Sequence, residues 1–258
     1  MRAPWFCLLL ALFGGAANAA GPAKPAPWWS AFDDPVLVSL MQATPQRTPD
    51  AEQALVQDYI VARVGIVRMM LADGLARAAR EEQALLMNAA ADAPRDAALS
   101  AVGRRLEVIE RTAATIEAER DKSLATLAAR SGIEDAKLRG LLAPASGRRA
   151  LPSVAAAPPQ AAPASAAAGL AQQLADLGEE ARRVDVTEQL VQTRRMELQA
   201  HQTRQRLGAE NPIGTLQAYQ QFVVDSDQLA MAAGRLALAW SVWLQGSGGL
   251  TVAAAATP

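Results

Sequence analysis

The stretch RDAALSAVGRRLEVIERTAATIEAERDKSLATLAAR, residues 95–130, decides the fold. Leu99, Val102, Leu106, Ile109, Ala113, Ile116, Ser123 and Leu127 follow one another at steps of three and four, with Arg120 the one charged residue on the row. Such a row keeps one apolar seam along a helix, and its average of about 3.5 residues per repeat implies left-handed supercoiling against neighbours. The segment before it carries the same spacing at Ile60, Val64, Val67, Leu71, Ala78 and Leu85, which predicts a helix from Asp50 to about Ala91 that Pro94 ends. Beyond residue 168 the plan repeats. A helix from about Ala168 to Leu207 has Leu170, Leu174, Leu177, Ala181, Val184, Val191 and Leu198 on its seam, and Gly208 with Asn211-Pro212 breaks it.

The last helix, expected from Ile213 to Gln245, has two parallel heptad rows. One runs through Leu216, Val223, Ala230, Ala237 and Leu244, the other through Phe222, Leu229, Leu236 and Trp243. With Tyr219, Ala233 and Trp240 added, this face is too wide for one partner, so the helix is expected to touch at least two neighbours. At about 1.5 Å per residue the four helices are rods of roughly 50 to 60 Å. Pairing Leu99 with Leu216, Glu110 with Asp227, Ala113 with Ala230 and Leu127 with Leu244 aligns the halves as an internal repeat, carried chiefly by the shared order of helix, break, helix and glycine stop.

Outside the rods the chain changes character. Residues 1–19 read as a secretory signal: Arg2 gives the positive start, Trp5 to Phe13 the apolar stretch and Ala17-Asn18-Ala19 the cleavage site. Cys7, the only cysteine, lies inside that stretch behind Trp5-Phe6, so ordinary cleavage is expected and the mature chain has no thiol. Residues 20–49 are a proline-rich leader and a short helix through Leu40, with Asp34 as N-cap and Pro35 at the first helical position. Residues 50–142 form the first helical repeat, 143–168 a Pro/Ala-rich linker without periodicity, 169–249 the second repeat and 250–258 a flexible tail.

Composition narrows the function. The formal charge is −1, and no run of Lys or Arg tracks one face as a nucleic-acid site would require. Aromatic residues are only 4% of an alanine-rich chain, which suits long helices packed closely side by side. Once the signal is removed, no stretch approaches the roughly 20 apolar residues of a spanning helix. His201 is the only histidine, so no multi-histidine metal site can be assembled, and it is expected at a solvated helix position. Glu81-Glu82 and Glu179-Glu180 are adjacent on helices and do not face one another, so both pairs are expected to face solvent. No nucleophile with a base, paired carboxylates or phosphate loop can be placed, so no catalytic, cofactor or metal residues are assigned and no enzyme is expected.

Four passages resemble the outer membrane factor family, the TolC-like channels of tripartite efflux pumps and type I secretion systems. They are the opening WWSAFDDPVLVSL (28–40), the segment SLATLAARSGIEDAKLRGLL (123–142) followed by LPSV and the proline-rich stretch, the final hairpin from Arg204 to Gly249, and the duplication itself. The resemblance implies an all-α chain of long coiled-coil hairpins in two tandem repeats, a shortened form without the β-barrel hairpins, because no strand of roughly 10 alternating residues can be found. It implies periplasmic, outer-membrane-associated location, a homo-trimer enclosing a helical conduit, and contact with a periplasmic adaptor, the membrane fusion protein of an efflux pump. Arg204 and Gly208, on the R-x-x-x-G pattern, would form the adaptor-contact turn; the turn at Asn88–Asp96 lacks that pattern. Leu216, Phe222, Val223, Leu229, Leu236, Trp240 and Trp243 would form the assembly face.

Bland readings stand beside these. Glycine after a helix is first of all a left-handed cap, and Arg204 and Arg206 are rim charges that solvent can satisfy; Trp28-Trp29 fit either contact with a membrane interface or an anchor of the leader to the helices, of which the resemblance implies the anchor, and Trp240 and Trp243 belong to the core. Two other functions fit the same sequence: a free-standing periplasmic coiled-coil scaffold or chaperone, and a channel subunit whose barrel comes from another polypeptide.

Overall fold

Four of the helices start in the same way. A polar side chain caps the first turn and a proline occupies one of the first two helical positions, where its missing N–H would have had no partner. Asp34 accepts from the Val36 amide at 2.9 Å at the start of α1 (Pro35–Ala43). Thr48 accepts from Ala51 at 3.3 Å for α2 (Pro49–Met87), and Asp92 from Arg95 at 2.7 Å for α3 (Ala93–Ser131). Asn211 accepts from Ile213 at 3.0 Å for α6 (Pro212–Gly246). A short 3-10 turn (Trp28–Phe32) precedes α1, α4 covers Asp135–Leu142, and α5 covers Ala168–Arg206.

This computed structural model describes residues 27–44, 48–89, 92–143 and 168–247. The chain is all-helical, with no strand among the described residues. The signal segment, residues 20–26 of the leader, residues 144–167 of the linker, Gly248-Gly249 and the tail lie outside the described residues.

One expectation about the breaks is corrected, and one element is added. The first long helix stops at Met87, and Pro94 does not end it: Pro94 sits in the first turn of α3, behind the Asp92 cap. The residues after Gly132 form the separate helix α4, which the seam pattern does not announce because eight residues are too few to display a period.

α2 and α3 form one antiparallel hairpin, α5 and α6 another, and the hairpins join through α2 and α6. Ion pairs fix the directions. Arg80 meets Glu110 at 2.7 Å and Asp58 meets Arg130 along the first hairpin. In the second, Arg194 reaches Asp225 at 2.9 Å and Glu180 reaches Arg235 at 3.3 Å. Between hairpins, Arg68 binds Asp227 at 2.9 Å, and Gln245 donates to the Pro49 carbonyl at 3.1 Å at the opposite end of α6 from the turn. The spatial order is thus α3, α2, α6, α5, and the outer helices α3 and α5 do not pack together. Both reversals, after Met87 and after Arg206, lie at one end of the rods, called the tip below.

The other end carries the main core. Phe32, Leu37, Leu40 and Met41 from the first two elements pack on Leu55, Tyr59 and Ile60 of α2, Leu124 and Leu127 of α3, Leu138 and Leu142 of α4, Leu177 of α5, and Trp240, Trp243 and Leu244 of α6. The two tryptophan rings meet edge to face with centroids 5.8 Å apart, and Trp28 and Trp29 lie half-buried against the same cluster. The Asp34 carboxylate, besides capping α1, accepts the Tyr59 hydroxyl, and buried Arg63 donates to the Leu142 carbonyl at 3.4 Å, where a cation suits a helix C-terminus. Towards the tip the apolar core thins to Ala76, Ala79 and Ile109 with Leu75 and Leu106.

The α2–α6 contact depends on glycine. A Cβ on Gly234 would lie 2.7 Å from Val64 Cγ2, and one on Gly74 would lie 2.9 Å from the Tyr219 hydroxyl oxygen. Val64 is β-branched and stiff at χ1, so it cannot swing aside without strain. Replacing Gly234 by Val is expected to lower the unfolding free energy by about 2 to 3 kcal/mol. Gly103, with nothing within 4 Å of its would-be Cβ, is the control: Gly103→Ala is expected to raise stability by about 0.5 to 1 kcal/mol through helix propensity alone. Urea unfolding of both variants measures the difference, and equal midpoints would remove the close-approach argument.

Candidate interaction tip

Near the tip, where apolar packing is thin, a buried polar layer joins three helices. Glu82 of α2 is 1% exposed, and its carboxylate accepts from Gln217 Nε2 at 2.8 Å, Gln220 Nε2 at 2.7 Å and Arg105 Nη2 at 3.1 Å. Arg105 also donates to Gln220 Oε1 at 3.0 Å, closing the network. A buried charge is tolerated where it is paired and hydrogen-bonded in this way. Glu82 therefore does not face solvent as its sequence suggests, whereas its neighbour Glu81 does. Of the second acidic pair, Glu179 is exposed, but Glu180 is half-buried between Arg183 and Arg235.

The turn from α5 to α6 is built from its sequence residue by residue. Gly208 has φ 71°, its amide bonds the Gln205 carbonyl at 3.0 Å, and the Ala209 amide bonds the Arg204 carbonyl at 2.9 Å. These two bonds and the left-handed residue make a Schellman C-cap. The side chain of Glu210 then folds back over the end of α5, accepting from Arg204 Nε at 2.7 Å and from His201 Nδ1. His201 is accordingly half-buried and partnered, not a free solvated side chain. The His201 hydrogen bond, with the Arg204 guanidinium beside it, holds the Glu210 carboxyl below the usual carboxylate range. Arg204 and Gly208 are both engaged within the turn, Arg204 by its carbonyl and its guanidinium and Gly208 by its conformation. The side chain presented outward is Leu207, 77% exposed, and at the α2–α3 reversal it is Met87, 64% exposed. Neither stood out in the sequence, because each lies off its helix's seam at the last turn.

The seven residues of the expected assembly face divide in two. Val223, Trp240 and Trp243 are buried by this chain's own helices, while Leu216, Phe222, Leu229 and Leu236 are half-buried. Large apolar side chains are exposed on all four rods: Val61 and Met70 on α2, Val108 on α3, Val186, Leu190 and Met196 on α5, and Val224 on α6. Among the described residues no three His, Cys, Asp or Glu side chains are placed to hold a metal ion, and no helix is long and apolar enough to cross a membrane.

Two outcomes follow from the polar groups. Glu82→Ala takes the shared acceptor from Arg105, from the buried Gln220 amide and from the exposed Gln217 amide, and is expected to cost about 3 kcal/mol, against under about 0.5 kcal/mol for Glu81→Ala; equal urea midpoints would show the network to be energetically idle. For Glu210, a folded-state pKa below the unfolded value means stabilisation that is present above the unfolded pKa and lost as pH falls through the folded one. Glu210→Gln is expected to be less stable than the parent at neutral pH, with the gap closing on acidification; a gap independent of pH would remove the clamp. The chain matches no protein-family model, and no curated protein matches it in sequence.

Proposed function

We propose that the chain is an exported, non-enzymatic TolC-like component of an efflux or secretion assembly, acting in the periplasm as a segment of helical wall. Its two hairpins are the tandem coiled-coil repeats of that reading, trimers enclose a conduit, and the tip meets a periplasmic adaptor. The observation that carries it is the single layer α3, α2, α6, α5 with two unpaired outer helices and both reversals at one end. A layer with open edges suits a wall element, because its outer helices present faces that a neighbouring copy would cover. Leu207 and Met87 give the tip two apolar contacts, and the Arg204–Glu210–His201 clamp holds the α5–α6 turn in one shape. No chemistry is assigned to the protein in this reading.

A second reading, the free-standing periplasmic scaffold or chaperone, is favoured by one feature. The 3-10 turn, α1 and α4 gather all four rods into a single core at the end opposite the tip, so the chain has a self-sufficient hydrophobic centre. The solution mass of the mature protein, taken with its far-ultraviolet helix content, decides between the two. A mostly helical trimer is expected; a helical monomer at all concentrations would overturn the conduit reading in favour of the scaffold.

A further inference from the structure

Arg120 is the one charged residue on the α3 seam, and it stands against α2 at Gly65, where a Cβ would lie 3.3 Å from Arg120 Cβ. Beside it α2, α3 and α6 enclose a hollow of about 220 Å³. Ile60, Val61 and Val64 of α2, Ile116 of α3, and Met231 and Leu238 of α6 give the hollow an apolar lining, and Val61, 43% exposed, lies where it meets solvent. Three guanidinium groups, of Arg68, Arg120 and Arg235, line it as well, against the single carboxylate of Glu119. We propose that this hollow binds a single-chain aliphatic carboxylate of medium length, its head group on Arg235 and its chain along the apolar lining.

The hydrogen bonds select Arg235 among the three cations. Arg68 engages Asp227 through Nε, and Arg120 engages Asp121 and Glu117 through Nε and Nη2. Arg235 reaches Glu180 through Nε alone, at 3.3 Å, and its side chain is 46% exposed. Its two Nη groups have no partner among the described residues, and this planar fork matches a carboxylate. The volume restricts the chain. At about 220 Å³ the hollow is smaller than the roughly 300 Å³ at which sites for drug-sized molecules begin, so one short chain fits and a two-chain lipid does not. A second hollow, of about 280 Å³, lies tipward of Arg68, but its charged lining is only the Arg68–Asp227 pair, so it offers an anion no free cation. Every lining residue comes from one copy of the chain, and binding therefore does not depend on the assembly proposed above.

Calorimetric titration of the mature protein with hexanoate, heptanoate and octanoate tests the site. Saturable binding at one site per chain is expected, tightening about fourfold with each added methylene until the hollow is full. Octylamine, with the same chain and a cationic head, is expected to bind at least about tenfold more weakly. Arg235→Gln is expected to weaken octanoate binding about tenfold, and Val61→Glu, which sets an anion beside the hollow, to abolish it. Both positions are exposed, so far-ultraviolet helix content is expected to stay that of the parent; Val186→Glu, on α5 and away from the hollow, is expected to bind octanoate as the parent does. Octanoate that does not bind, that binds without saturation, that octylamine matches, or that ignores both Arg235→Gln and Val61→Glu would overturn the site. Saturable binding by a helical monomer would uphold it while the conduit reading falls.

Discussion

The architecture depends on one contact, the pressing of α2 against α6. Each hairpin holds itself together, α2 with α3 and α5 with α6, and among the described residues α2 against α6 is the main contact that fastens one hairpin to the other along the rods, joined by the Arg105–Gln220 bond from α3 to α6. Gly74 and Gly234 bring the two backbones close enough for Tyr219 and Val64 to fill the space a methyl group would take. Close approach lets many weak dispersion contacts accumulate along the rods, which matters in a chain whose aromatic residues are so few. Where Trp240 and Trp243 are present, at the end with α1 and α4, the core is thick; away from them alanine seams take over.

Polar contacts take over where apolar burial runs out. The layer around Glu82 sits where the apolar cluster has shrunk to Ala76, Ala79 and Ile109, and its partners come from three helices and both hairpins. Its energetic worth as an isolated pair is modest, since burying the carboxylate costs much of what the donors return. Its geometric worth is larger. Only one sliding position of α6 along α2 brings Gln217 and Gln220 to the same carboxylate, so the layer sets the register that alanine seams leave loose.

The long helices were legible because periodicity and capping agree. The rows on α3 and α6 repeat over many turns, and each helix begins within two residues of its expected start, behind a polar cap and with a proline in its first turn. The width of the α6 face announced two neighbours, and α6 indeed touches both α5 and α2. What stayed hidden depends on partners distant in sequence. Glu82 looks like any helix-surface acid until Gln220 and Arg105 arrive from elsewhere, and His201 looks solvated until the turn returns Glu210 to it. The Arg204 and Gly208 spacing was visible, but its local use, a carbonyl and a guanidinium both spent on closing the turn, depends on how Ala209 and Glu210 fold back over α5.

The pairing of helices also separates the molecule by distance along the chain. Within each hairpin, partners such as Arg194 and Asp225 are near neighbours in sequence, whereas Arg68 and Asp227 are separated by 159 positions. Local contacts form fast and distant ones must first overcome the entropy of closing a long loop. The order of assembly during folding is therefore hairpins first and their union last. Because closure entropy grows only by about 0.6 kcal/mol for each doubling of loop length, the span joining the hairpins can change in length over evolutionary time at small thermodynamic cost. The α2–α6 joint cannot change so freely.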